Sequence, residues 1–179
     1  MKVYFVRHGL TDSNKEGRTM GQRTDQSLND EGRRQAEDTA KNLDKDFQIL
    51  FSSPLRRAFE TAEIIAKELG LSIVVAHELS ERDSGNLSGL LWEEIKENTV
   101  GAVDWNVVKK GEFDFSPHNG ESMENVRDRL SRFLDRVKRE HLDQKVLIVT
   151  HGGILRVLHI MHKQEVPDVP NLSLHELEI

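Results

Sequence analysis

The sequence predicts an α/β protein: helices on both faces of a mostly parallel central sheet, a three-layer αβα sandwich. Three observations predict it. Short β-branched and aromatic runs alternate with longer segments whose apolar residues fall at helical spacing. Three of those runs end abruptly, at Arg7-His8-Gly9, Ser52-Ser53-Pro54 and His151-Gly152-Gly153, and a helical segment follows each, the first after a polar loop. Finally, 179 residues, 36% of them hydrophobic and 31% charged, suit one domain over 1–179 with a real core and argue against disorder.

The first strand is Val3 to Val6. Polar residues with glycines at 17 and 21 then form a loop as far as Asn29. Asn29-Asp30-Glu31 supplies an N-cap and an acidic first turn for a helix to about Leu43. Ile49-Leu50-Phe51 reads as a second, buried strand. Proline is tolerated near a helix start, so Leu55 to Leu69 follows as a helix, with Ala58, Ala62, Ile65 and Leu69 at helical spacing and Gly70 as its stop. Leu71 to Ala76 makes a third strand. Residues 90 to 120 are less regular and scatter Trp92, Trp105, Phe113 and Phe115. A long helix runs from Ser122 to about Glu140. Val146 to Thr150 is the clearest strand, the helix after it reaches about His162, and Leu172 to Ile179 reads as an edge strand.

Composition removes several function classes. No cysteine is present, which excludes a disulfide scaffold, a thiolate nucleophile and Cys-ligated zinc or iron–sulfur centres. The 25 Lys+Arg against 31 Asp+Glu leave a net charge of −6, which argues against nucleic acid as a partner. The apolar run at Val3 to Val6 is far too short for a signal peptide, and no segment approaches the roughly 18 apolar residues of a membrane span, so a cytoplasmic protein without membrane contact is expected.

Open α/β sheets bind ligands at the carboxyl ends of their strands. Four such ends here carry Arg7-His8-Gly9, Ser52-Ser53-Pro54 leading to Arg56 and Arg57, the acidic loop around Glu81, and His151-Gly152-Gly153. Two histidines and two or three arginines make a cationic pocket in an acidic protein. Arginine offers a planar fork suited to phosphate oxygens, and a helix starting near Leu55 adds backbone N–H groups. A phosphate dianion is the natural occupant, with histidine as nucleophile or as oxyanion donor.

Taken singly, each residue has an ordinary reading. A strand-end histidine is most often a satisfied core or surface residue, and an Arg-Arg pair at a helix start a solvated face, with Glu60 available to Arg56 at i,i+4. His159 and His162 lie three apart on a helix, a spacing compatible with metal binding, yet no motif such as HExxH accompanies them, and no metal site is expected. The joint occurrence at four strand ends is what resists dismissal.

Those residues carry a family resemblance. Phe5-Val6-Arg7-His8-Gly9 resembles the RHG signature of the histidine phosphatase superfamily, the group that includes cofactor-dependent phosphoglycerate mutases. Asn14 matches its phosphate-contacting asparagine, and Ser52 to Ala62 is similar to its S-x-L-x-R-A-x-x-T-A segment, which selects Arg57 over Arg56. Leu79 to Gly85 is similar to the loop carrying the proton donor, hence Glu81. Gly120-Glu121-Ser122 resembles the GES element, and Val149 to Gly153 the V-x-H-G-G motif with the second histidine, His151. The matches come in order from residue 3 to about 157. Two departures stand out: Gln26-Ser27-Leu28 replaces the usual helix entry, and Gly21-Gln22 replaces the Thr-Gly of mutases, with Gln22 similar to the phosphate-facing glutamine of phosphatase members. Only about seventy residues separate Glu81 from His151, where mutases carry longer insertions, so the resemblance is to the compact phosphatase branch.

The resemblance implies a phosphoglycerate mutase-like fold and a phosphatase acting on phosphate monoesters of small metabolites. His8 would be the nucleophile and Glu81 the proton donor. Arg7, Arg57 and His151 would hold the phosphate oxygens, with Asn14 and Gln22 as neutral donors and Gly9 and Gly152 allowing close main-chain approach. No cofactor is expected, since the cationic side chains already offset the phosphate charge. The alternatives are a phosphoglycerate mutase, disfavoured by length and Gln22, and a non-catalytic phosphate- or protein-binding member, disfavoured because every expected catalytic residue is present. Residues 86 to 120, with Trp92, Trp105, Lys109, Lys110, Phe113, Phe115 and His118, are expected to form a lid or insertion that sets specificity among sugar phosphates, phosphoglycerates, nucleoside monophosphates or a phosphoprotein. The ordinary reading is packing for the aromatics and exposure for the lysine pair. Oligomeric state has no signature in the sequence.

Overall fold

An uninterrupted apolar strand needs cover on both faces, and this chain supplies it. The computed structural model describes residues 1–98, 107 and 110–179. In chain order its elements are β1 (Lys2–Arg7), α1 (Asp12–Glu16), α2 (Asp30–Asn42), β2 (Ile49–Ser52), α3 (Arg56–Leu69), β3 (Ile73–Val75), α4 (Trp92–Asn98), α5 (Met123–Glu140), β4 (Val146–Thr150), α6 (Gly152–Met161) and β5 (Leu174–Glu178). The five strands form one sheet in the order β3-β2-β4-β1-β5. All neighbours are parallel except β5, which runs antiparallel along β1 at the edge.

Alternate residues feed two cores. Val3, Phe5, Val146 and Ile148 pack with Val126, Leu130 and Phe133 of α5 and Ile154, Leu155 and Leu158 of α6. Val6, Leu50, Leu147 and Val149 pack on the other face with Ala40 of α2 and Ala58, Ala62 and Ile65 of α3. The sandwich is therefore three-layered, as the sequence predicts.

The helix boundaries follow their caps. Asn29 accepts from Gly32 N at 2.8 Å and Ser122 from Asn125 N at 3.1 Å, while Gly70 closes α3 in the left-handed region at φ 68°. Three expectations need correction. The polar stretch before Asn29 holds α1, started by a capping box in which Thr11 and Asn14 exchange side-chain-to-backbone bonds. The third strand is only Ile73–Val75, because Leu71 N instead bonds Ala66 O to finish α3. Glu60 serves Leu28 N and Arg33, at 3.1 and 3.4 Å, and Arg56 is exposed without it. Within 86–120, α4 and a short turn at Ser116–His118 are ordered around a small cluster of Leu87, Ile95 and Phe115 with Trp92 and Phe113. Lys110 is exposed, and Trp105 and Lys109 lie outside the described residues. Among the described residues no helix is long and apolar enough to cross a membrane.

Candidate active site

The helices that follow β1 and β4 pack on opposite faces of the sheet, so a crevice opens between the carboxyl ends of these neighbouring strands. Register brings three ends level: Arg7 lies opposite Thr150, and Ser52 opposite Val149. His8, Ser53 and His151 follow directly. The β1 end is tied down from both sides, with His8 N bonded to Thr150 O at 2.9 Å and Asn171 Nδ2 donating to the carbonyls of His8 and Gly9 at 2.8 and 3.1 Å. Gly9 passes so close to α2 that a Cβ there would meet Gly32 O at 2.9 Å.

His8 is 2% exposed, and its Nδ1 lies 2.7 Å from Gly9 O. A carbonyl only accepts, so Nδ1 carries the proton and Nε2 keeps the lone pair. Burial, then the charges of Arg57 and Arg7, hold this imidazole well below its ordinary pKa, so it is neutral. The His151 ring stands 5.1 Å from it, centroid to centroid, fully buried and also held well below its ordinary pKa by burial and by Arg57. His151 Nε2 is 2.7 Å from Ser53 Oγ, which already accepts from Leu55 N at 3.3 Å. We assign the Ser53 hydroxyl hydrogen to Nε2, which puts the His151 proton on Nδ1, the ring nitrogen without a protein partner.

Both arginines are anchored on backbone carbonyls. Arg7 Nη1 donates to Val169 O at 2.6 Å, and Arg57 donates to Thr24 O and Gly21 O at 3.2 and 2.9 Å. Burial lowers both guanidinium pKa values, that of Arg7 to about 10. Among the described residues four buried side-chain nitrogens have no hydrogen-bond partner; His162 Nε2 lies at the far end of α6, and the other three are Arg7 Nε, Arg57 Nε and His151 Nδ1. These three belong to residues that surround His8.

A cavity of about 350 Å³ opens beside these groups, with Arg7, His8, Asn14, Arg57, Glu81 and Gly152 on its wall. Asn14 Oδ1 is occupied by Thr11 N and Asn171 Nδ2, at 3.3 and 3.4 Å, which leaves its amide hydrogens for the cavity. Glu81 is clamped through both oxygens, by Arg82 N at 2.9 Å and by Gly153 N at 3.0 Å. Its loop is held from behind by Arg129, which forks onto Glu121 at 2.7 and 2.9 Å and donates to the carbonyls of Glu78 and Glu81. Trp92 and Phe115 add an apolar part of the wall.

The structure thus gathers Arg7, His8, Asn14, Arg57, Glu81, His151 and Gly152 at one place, although His151 touches the His8 ring rather than the cavity itself. Gln22 is the exception. It stands in the turn after Gly21, where Thr19, Met20 and Gly21 face the cavity and the Gly21 carbonyl is spent on Arg57. Sequence reasoning missed Ser53, Arg82 and Arg156. Arg156 had a signal, since it lies four residues after Gly152 on the same helix.

Comparisons with known proteins give the family of the chain. The family model of the histidine phosphatase superfamily (branch 1) matches residues 3–179. Phosphoglycerate mutase-like protein 4 of Arabidopsis thaliana is 37% identical over 161 residues, covering 88% of this chain and 69% of that protein. The metal-independent phosphoserine phosphatase of Arabidopsis thaliana is 34% identical over 162 residues, covering 89% and 67%. In structure, the mycobacterial glucosyl-3-phosphoglycerate phosphatase complexed with VO3 superposes with a TM-score of 0.84 at 29% identity, over 99% of this chain and 92% of that one. Phosphatases among these similar proteins support a phosphatase activity.

Proposed function

The chain belongs to the histidine phosphatase superfamily, branch 1, and on that premise we propose that it hydrolyses phosphate monoesters of small metabolites through a phosphohistidine on His8. The observation that carries this reading is a neutral, Nδ1-anchored histidine surrounded by three buried donors without a protein acceptor. A phosphoryl group has three non-bridging oxygens, and Arg7, Arg57 and His151 have a donor for each. Asn14 adds a neutral donor.

His8 Nε2 attacks phosphorus while the bond to the ester oxygen breaks, and Glu81 delivers a proton to that leaving oxygen. Water then attacks the phosphohistidine, Glu81 takes its proton, and phosphate departs with His8 restored. The Gly9 carbonyl stays on Nδ1–H throughout and orients the ring. Gln22 makes no phosphate contact in this reading. The described part of 86–120 gives Trp92 and Phe115 to the cavity wall, which supports that stretch as its cover.

The test is His8→Ala. Turnover of p-nitrophenyl phosphate should vanish, and wild type quenched in alkaline detergent should retain an alkali-stable, acid-labile phosphoryl label that the variant lacks. Undiminished turnover in the variant overturns the reading. Incubation with 2- and 3-phosphoglycerate separates hydrolysis, which releases phosphate, from mutase transfer, which interconverts them.

A further inference from the structure

Among the described residues, Arg156 is the cation of the cavity wall that has no hydrogen bond and no ion pair. The other arginines there are committed. Arg7 and Arg57 stand over the phosphate position, Arg82 donates to Gly111 O and Phe113 O at 3.0 Å and stacks on Phe115, and Arg18 pairs with Glu16 at 2.6 Å. Glu81 and Asp168 attract Arg156 through space, but neither forms a hydrogen bond or ion pair with it, and both Glu81 oxygens accept from backbone N–H groups. Partial burial without a partner is costly for a guanidinium.

Its position is specific. A Cβ placed on Gly152 would sit 3.1 Å from Arg156 Nη1 and 3.2 Å from Arg7 Nε, so the two guanidinium groups flank the same glycine. An anion on Arg7 and a second anion on Arg156 are therefore separated by only a few bonds of one small molecule. Charge sorts the second anion: Arg7 and Arg57 together match a phosphate dianion, and one further guanidinium matches a monoanion with two coplanar oxygens.

Resting on the phosphatase reading above, we propose that Arg156 is the specificity determinant of this site. It takes a carboxylate that the substrate carries a few bonds from its phosphate, and the enzyme prefers phosphorylated hydroxy or amino acids over phosphorylated alcohols.

The experiment compares substrates that differ in the carboxylate: O-phosphoserine against phosphoethanolamine, and 3-phosphoglycerate against glycerol 3-phosphate. Each pair gives a ratio of kcat/KM, which cancels any effect on folding or on the phosphate grip. A charge-assisted bond sets the expected wild-type ratio on the order of 10- to 100-fold for at least one pair. Arg156→Gln should bring that ratio towards 1 through KM, and Arg156→Lys should restore part of it. A wild-type ratio near 1 in both pairs, or a ratio unchanged in Arg156→Gln, overturns the carboxylate subsite while p-nitrophenyl phosphate turnover leaves the phosphatase reading standing. A larger preference for bisphosphates than for either acid also overturns it. Failure of the wild type to hydrolyse p-nitrophenyl phosphate and all four monoesters overturns the phosphatase reading and this proposal with it.

Discussion

Gly153→Ala separates fold from chemistry at a single methyl group. Gly153 is the second residue of α6, and its N–H holds Glu81 Oε2 at 3.0 Å. A Cβ there would fall 2.4 Å from Glu81 Oε1, inside van der Waals contact, so the carboxylate must swing away. Alanine in place of a helical glycine contributes up to about 1 kcal/mol. Displacing Glu81 costs a charge-assisted bond of about 1.5–3 kcal/mol, reduced because this partly exposed carboxylate finds water instead. The two offset each other to within about 1 kcal/mol, which for a chain of this size is a melting-temperature change of about 2–4 °C. The proton donor, however, is gone from its place, and general acid catalysis is typically worth about 10²–10⁴-fold. Turnover of an alkyl monoester such as glycerol 3-phosphate should fall by about that factor. Turnover of p-nitrophenyl phosphate, whose leaving group needs little protonation, should fall much less. Melting is read by calorimetry and rates by phosphate release. A variant with wild-type turnover of the alkyl ester would refute Glu81 as the donor, and an equal fall on both esters would mean that the phosphate grip was disturbed instead.

Stability should decline in acid. His8 and His151 are held neutral with folded-state pKa values well below 6.5, and His175 at about 4, so below pH 6.5 the unfolded chain binds protons that the folded one refuses. Each histidine then removes about 1.4 kcal/mol per pH unit as pH falls towards its folded value, and urea unfolding at pH 7 and pH 5 reads the sum; equal stability at the two would contradict buried neutral histidines. Ser53→Ala removes the hydroxyl that puts the His151 proton on Nδ1, and kcat/KM for p-nitrophenyl phosphate should drop about five- to tenfold, the value of one hydrogen bond. An unchanged rate, or ¹⁵N spectra showing the same tautomer, would remove Ser53 from that role.

What the sequence made legible was local. Asn29, Ser122 and Gly70 mark helix ends with their own side chain or its lack, and Val146 to Thr150 is a strand on any periodicity argument. The site residues sat at strand ends, where parallel register alone makes them converge. What escaped were relationships across the chain. The five-residue α1 depends on a Thr11–Asn14 box too short to show a hydrophobic period. Arg129 looks like any residue of a charged helix until its fork is seen on Glu121 and its other donors on the Glu81 loop, some fifty residues away in sequence. Ser53 stood in the sequence only as part of the strand end at Ser52-Ser53-Pro54, and its bond to His151 spans 98 positions. No spacing rule encodes such contacts.

The arginines show how a chain of net charge −6 can still build an anion site. At the surface, Arg23, Arg33 and Arg139 sit against Asp83, Asp30 and Glu140, and their charge is spent in the folded state. Arg129, nearly buried, is likewise neutralised by Glu121. Arg7 and Arg57 are treated differently: carbonyls of Val169, Thr24 and Gly21 fix their planes, and a carbonyl orients a guanidinium without cancelling its charge. Geometry is thereby supplied by the backbone and positive charge is kept for the ligand. The same distinction separates Arg82, pinned by the carbonyls of Gly111 and Phe113, from Arg156, which has neither carboxylate nor carbonyl. A guanidinium that Glu81 and Asp168 attract only through space and that no protein group hydrogen-bonds, beside two that are aimed by carbonyls, is completed by the ligand, which is why the carboxylate ratio in Arg156→Gln carries more information about the substrate than any change at His8.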